Sequence, residues 1–157
     1  MVTALAVALA TPAAADDFCA ALKPAVASAS KGFAAIRGEA DPVYPASYWR
    51  PLVLPGAMPL TTAGSPCFVL HGAIMTPPDQ YHCYFPGGPG DRDSLLTAMH
   101  AMADKVSACL GPMTFEPKAA YWKLAVNGAS VIVTGVLAPP ELGGGNVEVV
   151  IEPAAVR

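Results

Sequence analysis

Residues 66–71, Pro-Cys-Phe-Val-Leu-His, and residues 80–85, Gln-Tyr-His-Cys-Tyr-Phe, decide the fold class. Both are short runs rich in aromatic and aliphatic side chains. Thr76-Pro77-Pro78-Asp79 lies between them, so the pair reads as a β-hairpin with a long turn. Side chains alternate across a strand. Cys67, Val69 and His71 therefore share one face, Tyr81, Cys83 and Phe85 likewise, and His82 points the other way.

Amphipathic helices flank this hairpin. On the N-terminal side, Phe18, Leu22, Val26, Ala29, Phe33 and Ile36 recur at the spacing of one helical face. Asp16 or Asp17 can cap that helix, and Gly38 suits the left-handed position that ends it. Pro24 and Gly32 lie inside and predict a kink. On the other side, Asp91 or Asp93 caps a helix with the stripe Leu95, Met99, Met102, Val106 and Leu110. Gly111-Pro112 stops it. Beyond it, 121–126 and 131–137 flank Asn127-Gly128, a strong hairpin-turn dipeptide. Thr114 to Glu116 either extends the third strand or stands alone, and Val147 to Ile151 alternates as a last strand. The order is α-β-β-α-β-β(-β). Hairpin-linked strands pair antiparallel, so the expected class is α+β, with two helices packed on one face of an antiparallel sheet.

The chain has 157 residues, 54% of them hydrophobic and 13% charged, with a formal net charge of −3. That length and composition fit one domain with a real core. Disorder is disfavoured. A mildly acidic chain lacks the basic surface that nucleic acid requires, so no nucleic-acid partner is expected. Residues 1–15 read as a signal peptide, with an apolar run from Val2 to Ala10 and Ala13-Ala14-Ala15 as the cleavage site. No basic residue precedes Lys23, so the reading includes a truncated start. Residues 16–157 form the single α+β domain. No segment is long enough to span a membrane, and periplasmic or secreted localisation follows.

The four cysteines, Cys19, Cys67, Cys83 and Cys109, agree with export. None is spaced C-x-x-C, which removes thioredoxin-type, zinc-knuckle and haem-attachment motifs. Four cysteines allow three pairings. The hairpin favours Cys67–Cys83, and antiparallel packing of the two helices favours Cys19–Cys109.

Further short elements are Phe33-x-x-Ile36-Arg37-Gly38, Trp49, Leu54-Pro55-Gly56-Ala57, Tyr81-x-Cys83 and Cys109-Leu110. From Phe33 to Leu110 the chain resembles small exported bacterial α+β proteins of uncharacterised function with paired cysteines. The resemblance implies the compartment and the layout, and no activity.

Catalytic constellations are hard to assemble. No H-E-x-x-H or H-x-x-x-H spacing exists among His71, His82 and His100, so no metal site is expected. The G-x-S-x-G elbow is missing. Asp91 and Asp93 are explained by helix capping. Gly87-Gly88-Pro89-Gly90 lacks the G-K-[ST] ending of a phosphate cradle. No cofactor is implied.

The Pro-rich stretch 38–65 holds the most suggestive cluster. Pro42, Pro45, Pro51, Pro55 and Pro59 exclude a regular helix, and 49–54 allows a short edge strand. Tyr44, Tyr48, Trp49 and Arg50 fall within it, the residue types that dominate interface energetics. They fit either a lid over the core or a recognition loop. The function this favours is an exported, disulfide-braced binding domain acting on another exported protein, such as a periplasmic inhibitor or immunity-type protein. The alternatives are a hydrolase of unrecognised type, using His71 or His82 with Asp79 or Asp91, and a structural envelope-associated protein.

Overall fold

A computed structural model describes residues 13–59, 65–71, 78–138 and 144–154. The first helix, α1 (Ala13–Ser28), continues as one 3-10 turn at Ala29–Lys31. Two short strands follow, β1 (Glu39–Ala40) and β2 (Tyr48–Arg50), and then the hairpin β3 (Cys67–Leu70) and β4 (Gln80–Pro86). Helix α2 (Arg92–Leu110) leads to β5 (Thr114–Glu116), β6 (Tyr121–Val126), β7 (Ala129–Val136) and β8 (Asn146–Pro153).

These strands form one eight-stranded sheet in the order β1-β2-β3-β4-β8-β7-β6-β5, with every pairing antiparallel. The class is α+β. The sequence-derived order is corrected in its strand count: β1 and β2 form in the Pro-rich stretch, where the sequence predicts one short edge strand at most, and β5 stands as a strand of its own. Pro51 cannot donate to a ladder, and β2 ends at the residue before it. The proline-rich chain also makes a turn at Asp41 that brings β1 beside β2. The last strand, β8, joins the two halves by pairing with both β4 and β7. That pairing is non-local and carries no sequence signal.

Other boundaries shift as well. Helix α1 begins at Ala13, so Asp16 lies in its first turn and neither Asp16 nor Asp17 is its cap. The proposed signal segment falls largely on residues 1–12, outside the described residues. Gly32, not Gly38, ends the first helical segment, because it takes the left-handed conformation (φ +59°) and its N–H closes on the Ala29 carbonyl. In α2 the Asp91 carboxylate accepts a 2.8 Å hydrogen bond from the Ser94 N–H, as capping requires.

The core collects the expected stripes. Phe18, Leu22, Val26 and Phe33 are buried with Leu95, Met99, Met102 and Val106. They meet the sheet through specific contacts. Phe18 packs edge-on against Phe85 of β4, and Phe33 lies 6.0 Å from the Tyr81 ring. A methyl group at Gly135 of β7 would meet Met99 Sδ at 2.7 Å, so α2 seats directly on that strand. On the core face of β8, Val147, Val149 and Ile151 pair with Phe85, Cys83 and Tyr81. Disulfides join Cys19 to Cys109 and Cys67 to Cys83. Among the described residues no helix is long and apolar enough to cross a membrane.

Candidate functional site

The turn at Asp41 builds the first part of the site. One Asp41 oxygen accepts from the Val43 and Tyr44 N–H groups at 2.8 and 3.0 Å, and the other faces Arg50 Nε at 3.3 Å. The Tyr44 and Val43 N–H groups, with Arg50 behind them, hold this carboxyl below its ordinary range. The turn leaves Val43 68% and Tyr44 61% exposed.

Alternation along β2 then divides the expected cluster. Tyr48 and Arg50 point to one side of the strand and Trp49 to the other. Tyr48 sits edge-on to Tyr44 at 5.9 Å and to Phe68 of β3 at 5.3 Å. Phe68 stacks on His82 at 5.0 Å and lies 5.8 Å from Tyr84. A continuous line of rings therefore crosses β2, β3 and β4 on the face alternate to the cysteines. Phe68 and Tyr84 were not singled out from sequence. The period-two pattern that separated His82 from Cys83 places them beside it, and that signal was available.

Carboxylates and an amide border this line. His82 Nδ1 is 2.6 Å from Glu148 Oε1 of β8, and His82 Nε2 is 3.3 Å from Gln80 Oε1. Gln80 Nε2 donates to Glu152 at 2.9 Å. These bonds fix the imidazole plane, so its stacking on Phe68 is held from both edges. Burial, and then the Glu148 carboxylate, push the Tyr84 phenol up, which keeps it a donor. Ser130 of β7, which pairs with Glu152, buries an Oγ that has no hydrogen-bond partner among the described residues.

Trp49 belongs to a different environment. It is half-buried and packs against the core. The Arg37 guanidinium lies 4.3 Å from its ring centroid, and His71 approaches at 5.0 Å with its plane at 70°. His71 Nδ1 is 2.8 Å from Asp79 Oδ1.

The structure thus sets both hairpin histidines against carboxylates, His71 against Asp79 and His82 against Glu148. A covalent hydrolase built on such a pair needs a side-chain nucleophile within reach of the base. Among the described residues no Ser, Thr or Cys side chain hydrogen-bonds to either imidazole, and every cysteine is in a disulfide. Asp91 is occupied as the α2 cap, and its hydrogen bonds from Ser94 hold it below the usual carboxylate range. His100 lies on the surface of α2, stacked on Trp122 and 3.7 Å from Asp104. Among the described residues no group of three His, Cys, Asp or Glu could hold a metal ion. Comparison with protein-family models, curated proteins and solved structures finds no match to this chain.

Proposed function

We propose that this chain is an exported, disulfide-braced binding domain whose recognition surface is the aromatic line from Tyr44 through Tyr48 and Phe68 to Tyr84. Its partner is another exported protein, in the manner of a periplasmic inhibitor or immunity-type protein. In this arrangement both helices cover the cysteine-bearing face of the sheet, which the contacts of Phe18, Phe33, Leu95 and Met99 support. The alternate face of β2, β3 and β4 is then left for a partner. Two disulfides agree with an oxidising compartment.

The observation that carries the proposal is the continuity of the ring line and its exposed end at Tyr44. Aromatic anchors offer large contact area and lose little side-chain freedom on binding. The hydrogen bonds of Asp41 and Glu148 hold the two ends of the line before any partner arrives, which lowers the ordering cost of association.

The test is affinity capture from an exported-protein fraction, comparing the unaltered protein with Tyr44→Ala and Tyr48→Ala. A captured partner should bind these variants about thirtyfold more weakly, as loss of a hot spot of about 2 kcal/mol implies. Thermal unfolding of Tyr44→Ala should be unchanged. A partner that binds the doubly substituted protein as tightly as the original would refute the assigned surface.

A further inference from the structure

We propose that Arg37, seated on Trp49 with His71 at its border, binds the carboxylate of a small apolar acid. This site lies on the side of β2 opposite Tyr48 and is independent of the aromatic line.

The chain is shaped to place this guanidinium. Gly32 and Phe33 both take left-handed conformations, at φ +59° and +58°. For a bulky residue such as phenylalanine that region is unfavourable, and it persists only where packing imposes it. Here the Phe33 ring is fully buried against Tyr81 and its N–H donates to the Ser28 carbonyl at 3.0 Å. The reversal turns residues 34–38 back along β2. The Ile36 carbonyl accepts from the Leu52 N–H at 2.9 Å. At Gly38 a methyl group would stand 2.0 Å from the Arg50 carbonyl oxygen, so the two backbones touch. Arg37 lies between these two anchor points and is thereby held over the indole.

Arg37 is also unlike the other arginine of this region. Arg50 has Asp41 as its partner, whereas no carboxylate among the described residues pairs with Arg37. None of its five N–H donors is hydrogen-bonded to a described group. A guanidinium held over an aromatic face engages the ring through its charge and keeps its N–H donors for other partners. That planar fork matches a carboxylate in two parallel hydrogen bonds. His71 adds a second polar group at the same indole. Its Nδ1 is held by Asp79, and its Nε2 has no hydrogen bond to a described residue.

The local charge selects among anions. Asp79 sits beside His71, so a doubly charged phosphate would meet a carboxylate where a singly charged acid meets less repulsion. The exposed part of the half-buried Trp49 ring gives the apolar surface for the body of the acid.

The test uses Trp49 fluorescence in full-length protein carrying Trp122→Phe, since the chain has two tryptophans. The probes are 3-phenylpropionate, its uncharged amide and inorganic phosphate. Saturable quenching by 3-phenylpropionate is expected, with the amide at least about tenfold weaker because the charge-assisted fork is lost. Arg37→Gln should weaken the acid by a similar factor, and Arg37→Lys, which keeps charge but not the fork, by less. The acid–amide comparison needs no change at Arg37, so it stands if that variant unfolds. Equal response to acid and amide, no saturation by the acid, tighter binding of phosphate, or an unchanged response in folded Arg37→Gln would each overturn the proposal.

Discussion

Phe68 and His82 face one another across β3 and β4 with ring centroids 5.0 Å apart and planes only 7° from parallel. Glu148 and Gln80 hold the imidazole by its two nitrogens, so the ring cannot turn away. The His82 ring protons should therefore be shifted upfield by the phenyl ring. Phe68→Leu should remove that shift while costing about 1 kcal/mol, the usual worth of an aromatic pair. Imidazole NMR spectra of both proteins decide it, and an unshifted His82 in the unaltered protein would exclude the stack.

Trp49→Ala distinguishes a lid from a recognition loop. Trp49 packs against the core under Arg37 and beside His71. Full core truncations of this size cost roughly 3–5 kcal/mol, and a half-buried ring should cost about 2–4 kcal/mol. Chemical denaturation measures the loss. A near-neutral result would return Trp49 to the exposed recognition set with Tyr44.

Gly38→Ala and Gly56→Ala form a controlled pair. Both glycines have positive φ, +65° and +85°. A methyl group at Gly56 meets nothing within 4 Å, whereas at Gly38 it would overlap the Arg50 carbonyl. The shared conformational strain should cost each variant about 1 kcal/mol, with a further 2 kcal/mol or so for Gly38→Ala from the backbone clash. Equal denaturation midpoints would show that the two backbone segments do not touch there.

Alkaline pH should unfold the protein through its tyrosines. Burial raises the phenols of Tyr81 and Tyr84 well above the ordinary value of 10.0. The folded state then keeps protons that the unfolded chain releases. Stability from these two groups is fully present below that value and is lost as pH rises beyond it. Phenolate absorbance should show two of the five tyrosines ionising only with the loss of far-ultraviolet ellipticity. Ionisation of all five in folded protein would contradict the burial of Tyr81.

Limited reduction should open the disulfides in a fixed order. Cys67 and Cys83 are fully buried, while Cys19 and Cys109 are partly exposed. Cys19–Cys109 should therefore be alkylated first under mild thiol, as peptide mapping would record. Its sequence separation is 90 residues, so its opening should cost about 4–5 kcal/mol of stability, against about 3 kcal/mol for the 16-residue separation of Cys67–Cys83. Simultaneous loss of both bridges would mean that the inner bridge is not shielded by the core.

What could be read in the sequence was local. The stripe of α2, the Asp91 cap, the turn at Asn127-Gly128 and both cysteine pairings follow from spacing and from which elements carry the residues. Chain reversal at Gly32–Phe33 was not legible, because a helical stripe running on to Ile36 favours continuation. Tertiary burial of the Phe33 ring overrode it. The site divided in the same way. Tyr48 and Trp49 are neighbours in sequence, yet strand alternation sends them to opposite sides. Glu148 reaches His82 across 66 residues through a β4–β8 pairing that no local pattern announces.

The position of β8 sets the order in which the sheet can be completed. It is the last described strand in the chain, and it sits between β4 and β7, near the middle of the sheet. During synthesis the segments β1–β4 and β5–β7 emerge first, each with an unpaired inner edge. Neither edge is satisfied until residues 146–153 are available. The chain is thus obliged to wait for β8 before the core closes, and such long-range pairing is slow. A polypeptide with that obligation stays threadable until β8 has arrived.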